Sequence, residues 1–466
     1  MKTITIFSIF FFALLSFSGS MREVPDKPEN NTNFTANKAH RRFSPHDQFF
    51  LGQISIKLKP GLGDFGKQTG IVSFGVQSLD EKIALFEVFQ LEKRFRYNPA
   101  KLRPDLPDLS RIYRLSFPET FPVEEVAAAF AADPGVEYAE PIPIERLAEI
   151  PNDVLWPQLQ HLPQIHAPEA WDIHKGENGT QEIVIAINDT GVDWDHEDLI
   201  SNIWQNLAED ADGDGHTMEY INNQWVLDPG DLNGVDDDAN GFTDDLLGWD
   251  FMTNDNDPNP FPGNPENGHG THCAGIAAGA TNNQAGIASI SWNLKVMAIR
   301  TGQDNFIYMG YDGIIYAAEN GADIISNSWG GGSYSIANQE VVSYAAELGS
   351  IILAAAGNEN ISDLSYPADY QHVISVASVN TDDTKTGYSC FNLAVDISAP
   401  GGGAGGGILS TLPNNTYGPG SGTSMATPMV AGSLGLLKSY HPGWSNDQLI
   451  TQVLGTADNI DSLNPN

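Results

Sequence analysis

The sequence predicts an α/β protein with a largely parallel sheet and helices on both faces, preceded by a small α+β domain. From about residue 152 onward, continuous apolar runs alternate with helical stretches. Residues 50–150 instead contain short alternating runs and one amphipathic helix. The charge changes at the same boundary, from 18 basic and 19 acidic residues in 1–150 to 5 basic and 41 acidic residues in 151–466. We therefore expect two folded parts with different surfaces.

The overall charge narrows the choice of partners. The 466 residues include 23 Lys+Arg and 60 Asp+Glu, a formal net charge of −37, which disfavours nucleic acid and anionic membranes. Cys273 and Cys390 are too few for a disulfide framework, so we expect free thiols, with one disulfide between them as the alternative. The acidic surface either serves solubility alone or holds cations, and composition leaves both interpretations open.

Residues 1–20 have the pattern of a secretory signal peptide. Lys2 precedes an apolar run over residues 4–17, and the small residues at 18–20 suit a signal peptidase. The run is too short to span a bilayer and no later run is long enough, so we expect a secreted protein without a membrane anchor. Residues 21–49 are polar and predict a tether.

The small domain, residues 50–150, has three recognisable strands and one helix. Residues 53–58 and 111–117 alternate as strands do, and 136–139 form a final short strand. The helix, residues 122–132, carries four apolar side chains at i, i+3, i+4 and i+7, namely Val123, Val126, Ala127 and Phe130. This order predicts a βαββαβ-like sandwich.

The larger part, residues 151–466, alternates buried strands with helices. Its apolar runs predict strands at 183–188, 294–299, 324–327, 351–356 and 373–379. Helices are predicted at 271–280, 311–320, 337–348 and 424–440. In such sheets, active sites lie in the loops at the carboxyl ends of the strands.

Three loops contain candidate catalytic residues. Asp189-Thr190-Gly191 follows the first strand, residues 267–272 contain two histidines, and residues 422–428 open the last helix. Each has an ordinary explanation by itself: a turn aspartate, a core or metal-binding histidine pair, and an N-cap serine. Together, Asp189, His269 and Ser424 follow the order Asp…His…Ser, one of three orders of the hydrolytic triad.

On these motifs, residues 152–460 resemble the catalytic domain of the subtilisin-like serine proteases. The run Gly-Thr-Ser-Met-Ala-Thr-Pro around Ser424 is the most specific signature, and Cys273 resembles the proteinase K branch. The resemblance implies that Ser424 is the nucleophile, His269 its base and Asp189 the residue that orients the imidazole. It also implies an oxyanion hole made by Asn358 and the Ser424 backbone N–H. We expect a monomeric endopeptidase acting on proteins or peptides.

The resemblance also locates the substrate cleft. It implies that a bound peptide adds a strand along one segment, Ser328, Trp329 and Gly330. A second segment forms the opposite wall of the main specificity pocket, namely Ala355, Ala356 and Gly357. Small walls predict a roomy pocket for large uncharged side chains. Trp329 is either a wall of the cleft or a core residue.

Calcium is the expected cofactor. Residues 207–260 form an acidic insertion with 15 Asp or Glu and no Lys or Arg. Two stretches within it read Asp-x-Asp-x-(Asp/Asn)-Gly, namely Asp210, Asp212 and Asp214, and Asp236, Asp238 and Asn240. Such oxygens suit Ca²⁺, with ordinary Asp-Gly turns as the alternative. The resemblance implies a further calcium site built from Asp198, Asn283 and the carbonyls of Thr281, Ala285 and Ile287.

Residues 50–150 resemble the propeptide of these proteases, which acts as a folding chaperone and inhibitor. The resemblance implies a zymogen that cleaves itself within residues 143–152; a permanent accessory domain is the alternative. The chain ends at residue 466, before the closing turn and helix of the family, so we expect either a fragment or a variant that ends early.

Two other functions compete with the protease. One is a non-catalytic calcium-binding or interaction module on a dead protease fold, which would be expected to lack part of the catalytic set. The other is esterase or peptide ligase activity through the same acyl-enzyme. The presence of Asp189, His269, Ser424 and Asn358 favours the enzyme.

Overall fold

The computed structural model describes residues 2–3, 49–62, 72–96, 106–144, 150–176 and 182–464. The chain divides into two compact units, residues 1–17 with 148–466, and residues 18–147. Apart from residues 2–3 and 49, the predicted signal peptide and tether lie outside the described residues, as do residues 145–149 of the predicted cleavage region. Among the described residues, none of the helices has the length and apolar character needed to cross a bilayer.

The smaller unit is a four-stranded antiparallel sheet with two helices. Strand β1 (Lys2–Thr3) belongs to the larger unit. The smaller unit then runs β2 (Phe49–Leu58), α1 (Gln77–Leu85), β3 (Gln90–Lys93), β4 (Ile112–Ser116), α2 (Val123–Ala131) and β5 (Val136–Pro143). The strands lie in the order β3-β4-β2-β5. The chain order is the predicted βαββαβ.

Helix α2 shows why the smaller unit folds this way. Its apolar stripe, Val123, Val126, Ala127 and Phe130, is buried against the sheet residues Ile54 and Ile56. Pro122 occupies the N-cap position, and Glu124 and Glu125 in the first turn complement the helix dipole. The periodicity of the sequence therefore determined both the helix and its buried face.

The larger unit contains the remaining elements. Its strands after β1 are β6 (Val184–Asp189), β7 (Met218–Ile221), β8 (Gln224–Leu227), β9 (Gly248–Asp250), β10 (Lys295–Arg300), β11 (Gly302–Gln303), β12 (Phe306–Ile307), β13 (Ile324–Asn327), β14 (Ile351–Ala355), β15 (Val373–Val379), β16 (Ile397–Pro400), β17 (Ile408–Leu412), β18 (Thr416–Gly420) and β19 (Asp458–Asn459). Its helices are α3 (His161–Gln164), α4 (Ala167–Trp171), α5 (His269–Ala278), α6 (Gly310–Glu319), α7 (Ile336–Glu347), α8 (Thr423–Tyr440) and α9 (Asn446–Thr456).

The main sheet is largely parallel, as predicted. Its strand order is β19-β1-β16-β15-β14-β13-β6-β10-β9, and the seven strands from β16 to β9 pair in parallel. At one edge, Thr3 of β1 pairs with Ser398 and Asp458. Within the acidic insertion, β7 and β8 form a separate hairpin. The parallel arrangement brings the carboxyl ends of β6, β13 and β14 to the same edge.

Both faces of the sheet are covered. Along β6, Ile185 and Ile187 belong to one buried cluster with α5 and α8, whereas Val184 and Ala186 belong to another with α6 and α7. Alternate side chains of one strand therefore enter two different cores, which explains the continuous apolar run.

The four helices predicted in the larger part all begin one or two residues earlier than the sequence predicts. Helix α5 begins at His269 rather than residue 271, because a short 3-10 helix, Pro265–Gly268, leads directly into it. Helix α8 begins at Thr423, with Gly422 at the N-cap position. Ser424 is therefore the second helical residue and not a capping residue.

Candidate active site

The end of strand β6 and the start of helix α5 bring a carboxylate to an imidazole. Asp189, 1% exposed, accepts a hydrogen bond at Oδ1 from Nδ1 of His269, with 2.8 Å between the atoms. The same oxygen accepts the backbone N–H of Thr190 at 2.8 Å. Gly270 makes this approach possible, because a Cβ there would lie 2.3 Å from the carbonyl oxygen of Gly191 and 3.0 Å from Cβ of Asp189.

The environment of His269 favours its protonated form. Burial by itself lowers the pKa of the imidazole, but the charge and hydrogen bond of Asp189 outweigh burial, and Glu266 adds to the effect. The pKa therefore lies above the usual 6.5. The second histidine of the loop, His272, turns away and contacts the carbonyl of Gly418 at 3.0 Å, so the two histidines do not form a joint site.

Ser424 lies in the first turn of α8 and is 9% exposed. Its hydroxyl donates to the carbonyl of Ser328 at 3.0 Å, and the Ser328 hydroxyl donates to the carbonyl of Ser424 at 2.9 Å. The serine side chain is thus directed at the end of β13 rather than at His269 in this structure. Catalytic hydrogen bonds commonly tighten only when substrate is bound.

Cys273 links the two helices beneath the site. Its thiol, one turn after His269, donates to the carbonyl of Ser424 at 3.4 Å. Burial and the charge of Asp189 raise the pKa of this thiol well above its usual value, so it stays protonated and unreactive. Cys273 and Cys390 are both free, as expected.

Asn358 is held in one orientation by Thr423. The Oδ1 atom of Asn358 accepts the backbone N–H of Thr423 at 2.9 Å and its hydroxyl at 3.1 Å. The Asn358 backbone N–H donates to Oε2 of Glu359 at 2.8 Å. With Oδ1 occupied, the amide group Nδ2 is the end available to a ligand. Sequence reasoning missed Thr423, although its place between Gly422 and Ser424 was a usable signal.

The two predicted substrate segments lie side by side. A Cβ on Gly330 would come within 3.2 Å of Oγ of Ser365 and 3.4 Å of the carbonyl oxygen of Ala355. Trp329 is half-buried and donates its indole N–H to the carbonyl of Asn188 at 2.9 Å. It packs against one of the two buried clusters of the sheet and reaches the surface, so its role as a wall of the cleft stays a prediction. Ala356 is buried against Cys390, facing away from solvent.

The predicted calcium site around Asp198 is compact and acidic. Asp198 is fully buried, accepting Nδ2 of Asn283 at 2.8 Å and the backbone N–H of Ile287 at 2.7 Å. Asp153, which sequence reasoning missed, accepts the backbone N–H groups of Asn282 and Asn283 at 2.9 and 3.1 Å. Burial, and for Asp153 also the nearby charge of Asp198, raise the pKa of both carboxyls. The two buried carboxylates and the amide carry oxygen atoms, the type of ligand that Ca²⁺ takes. In this structure the amide presents Nδ2 to Asp198, and each carboxylate oxygen accepts an N–H group.

The remaining predicted ligands of this site lie in the same loop. Asn283 Oδ1 accepts the backbone N–H of Ala285 at 2.8 Å, and the carbonyl of Ala285 accepts the N–H of Val154 at 3.3 Å. Thr281 directs its hydroxyl to the carbonyl of Gly279 at 3.2 Å.

In the acidic insertion, the carboxylates that lie close together in the structure are not only the ones that the sequence motif groups. Asp236 and Asp238 each accept the backbone N–H of Asn240, as in an Asp-rich turn. Asp238 also lies close to two buried acids outside the motif, Glu209 and Asp245, with ligand atoms within 4.8 Å of one another. Burial, with the charges of Asp238 and Glu209, raises the pKa of Asp245 to about 7. Glu209 and Asp245 were missed because only the fold brings them to the motif.

Asp189 is hydrogen-bonded to the imidazole of His269, and Ser424 lies at the start of a nearby helix. This combination is characteristic of serine hydrolases of the Asp–His–Ser type. The family model described as the subtilase family matches residues 180–466. The chain belongs to this family, and it is a subtilisin-like serine endopeptidase.

Three comparisons show the extent of the similarity. Thermitase of Thermoactinomyces vulgaris is 38% identical over 315 residues, covering 66% of this chain and 92% of thermitase. A thermophilic serine proteinase of Bacillus sp. (strain AK1) is 36% identical over 342 residues, covering 72% of this chain and 71% of that protein. A solved protease of Pseudoalteromonas arctica PAMC 21717 aligns with a TM-score of 0.51 and 28% identity, covering 68% of this chain and 95% of that structure.

Proposed function

We propose that this endopeptidase is secreted as a zymogen, cleaves peptide bonds through an acyl-enzyme on Ser424, and is stabilised by calcium. The observation that carries the catalytic part is the 2.8 Å hydrogen bond between the buried Asp189 and His269, at the sheet edge where Ser424 also lies. A serine hydroxyl requires an adjacent base to act as a nucleophile at neutral pH.

In the proposed mechanism, His269 takes the proton of Ser424 as the oxygen attacks the scissile carbonyl carbon. The hydroxyl reaches His269 by turning away from the carbonyl of Ser328. His269 then gives the proton to the leaving amine as the C–N bond breaks, and water repeats the sequence to release the acid. Asp189 holds the imidazole in the tautomer with its proton on Nδ1.

The tetrahedral intermediate carries a negative oxygen that needs fixed donors. We assign these to Nδ2 of Asn358 and the backbone N–H of Ser424. The two hydrogen bonds from Thr423 to Oδ1 of Asn358 support this, because they fix the carboxamide with its donor end outward. Such preorganisation requires no rearrangement at the moment of reaction.

The substrate is proposed to be an extended peptide that pairs with Ser328, Trp329 and Gly330. The pocket beside Gly330 has small walls, and we expect it to favour large uncharged side chains. Cleavage of a peptide library mainly after Lys or Arg would refute this preference.

Zymogen processing is proposed from the βαββαβ unit, residues 18–147, that precedes the peptidase unit. Self-cleavage within residues 143–152 predicts that the Ser424→Ala chain stays intact when measured by mass spectrometry. Cleavage of that variant at the junction would argue against self-processing.

Calcium is proposed at the site of Asp153, Asp198 and Asn283, and in the acidic insertion. The five Lys and Arg of residues 151–466 contact other groups, namely Trp292, Glu182, Asp250, Asn360 and Asp323. A bound cation would therefore be the counter-charge for these buried acids.

The decisive experiment is casein hydrolysis with and without a serine-directed acyl-trapping inhibitor. We expect the inhibitor and Ser424→Ala each to abolish hydrolysis. Ser421→Ala, which removes an exposed hydroxyl three residues away, is the matched control and should retain activity. Casein hydrolysis by Ser424→Ala would contradict the mechanism, and hydrolysis of esters but not casein would favour the esterase alternative.

A further inference from the structure

One cluster in the acidic insertion differs from the others because it contains a histidine. Asp214 and His216 precede strand β7, Glu219 lies within it, and Asp228 directly follows strand β8. Each of the four side chains offers one ligand atom, and these atoms lie within 4.8 Å of one another. We call this set the His216 cluster. It joins both ends of the β7–β8 hairpin.

Within the His216 cluster, two carboxylate oxygens converge on one imidazole nitrogen. His216 Nδ1 lies 3.1 Å from Oδ1 of Asp214 and 3.2 Å from Oδ2 of Asp228. Asp228 is 2% exposed, and both His216 Nδ1 and Asp228 Oδ2 are buried atoms that face each other at 3.2 Å without the geometry of a hydrogen bond. Two carboxylate oxygens beside one buried nitrogen concentrate negative charge there, which a shared cation would compensate.

The donor set favours a transition metal over calcium. Ca²⁺ binds oxygen ligands, whereas Zn²⁺ combines histidine nitrogen with carboxylate oxygen in a tetrahedron. With metal–ligand distances of about 2.0–2.1 Å, the edges of such a tetrahedron measure about 3.3–3.4 Å. The observed separations of 3.1 and 3.2 Å lie close to that value. Three carboxylates also supply the negative charge that a dication needs, in a segment without Lys or Arg.

We propose that Asp214, His216, Glu219 and Asp228 bind Zn²⁺. Asp214, which the sequence motif groups with Asp210 and Asp212 as a calcium candidate, belongs to this zinc site instead. The protonated imidazole loses its Nδ1 proton to solvent, and the neutral ring, which keeps its proton on Nε2, binds the metal through Nδ1. The metal fastens the loop before β7 to the residue after β8, and so closes the hairpin onto the preceding Asp-rich turn. Its role is structural, because none of the four residues is part of the catalytic set.

The test uses the full chain carrying Ser424→Ala, which prevents self-digestion. The protein is stripped with a chelator, returned to excess calcium, and titrated with Zn²⁺ by calorimetry and with Co²⁺ by visible absorption. We expect one equivalent of Zn²⁺ to bind, a rise in Tm, and a Co²⁺ spectrum typical of tetrahedral coordination. Binding at this site should weaken at least about tenfold in His216→Gln, which has no ligand atom at the Nδ1 position.

The control is His174→Gln, because the ring of His174 contacts Oγ of Ser439 through Nε2, outside the cluster. Asp228→Asn provides a second variant, and circular dichroism verifies that each variant is folded. Equal Zn²⁺ affinity in His216→Gln and the parent, or complete displacement of Zn²⁺ by calcium, would overturn the proposal. Failure of Zn²⁺ to bind at all would also overturn it, and would identify His216 as a protonated partner of the two aspartates instead.

Discussion

Asn358 has its orientation determined by a neighbour rather than by its own loop. Thr423, the residue before Ser424, donates two hydrogen bonds to Oδ1 of Asn358. The orientation of the proposed oxyanion-hole amide therefore depends on Thr423. From the sequence, Asn358 was identified by resemblance, but the dependence on Thr423 requires the contact between two loops that are 65 residues apart.

Replacing Asn358 should therefore reduce turnover with little effect on substrate binding. For Asn358→Ala we expect kcat to fall by about 10²–10³-fold, or about 2.7–4 kcal/mol, the range for removing one such donor from a subtilisin. KM should change little, because the donor acts on the transition state. Thr423→Val should show a smaller loss, since its backbone N–H still holds Oδ1. An Asn358→Ala enzyme with unchanged kcat would contradict the assignment.

The raised pKa of His269 predicts the acidic limb of activity. The base must be neutral, so activity rises as pH increases through this pKa, which lies above 6.5. Glu266 contributes to the raised value, so Glu266→Gln should lower the pKa and move the limb toward lower pH. The pH profile of kcat/KM measures this shift. Glu340→Gln, on the exposed side of α7, should leave the limb in place.

At the scale of elements, the end of the acidic insertion supports the catalytic aspartate loop. The carbonyl of Pro258 accepts the N–H of Val192, and Trp194 donates to Asp257 at 3.1 Å. A Cβ on Gly191 would lie 2.7 Å from the carbonyl oxygen of Pro258. Strand β9 anchors this segment through Asp250, whose Oδ2 lies 2.5 Å from Nη1 of Arg300 in a buried ion pair.

Breaking that ion pair should destabilise the peptidase unit strongly. Arg300→Met leaves the Asp250 carboxylate buried without its charged partner, and we expect a loss of about 3–5 kcal/mol in the free energy of unfolding. Urea denaturation in the Ser424→Ala background measures it. The double variant Arg300→Met/Asp250→Leu should recover most of the loss, because an apolar pair needs no counter-charge. Equal stability of the single and double variants would refute this account.

The elements also show what the sequence can and cannot predict. Strands β13 and β15 were predicted at their observed bounds, and β6 and β10 to within one residue, because a continuous apolar run marks a strand that is buried on both faces. Strand β9 was missed because it is three residues long and is defined only by its pairing with β10. Helix α9 was also missed, although its capping box, Ser445 with Gln448, was visible in the sequence.

The candidate site follows the same pattern. Motif residues such as His269 and Ser424 could be identified because their chemistry is encoded locally. The acids Asp153, Glu209 and Asp245 could not, because each becomes relevant only when the fold places it beside a distant carboxylate. The spacing of residues along the chain does not predict such contacts.

At the scale of the whole molecule, stability should depend on bound cations. Residues 151–466 carry 5 basic and 41 acidic residues, and removing calcium would leave the buried acids uncompensated. A site saturated about a thousandfold above its Kd contributes about 4 kcal/mol, so chelation should lower the Tm of a unit of this size by about 6 °C. Scanning calorimetry of the Ser424→Ala chain measures the shift, with calcium-saturated chelator as the control. An unchanged Tm would exclude calcium as a stabiliser.

The close approach of the Gly191 backbone to Gly270 limits which residues can occupy position 270. The backbone of Gly191 leaves no volume for even a methyl group at position 270. If helix α5 moved away to make room, the hydrogen bond between His269 and Asp189 would be broken. In a saturation library plated on milk agar, clones that form clear halos should therefore all encode glycine at this codon.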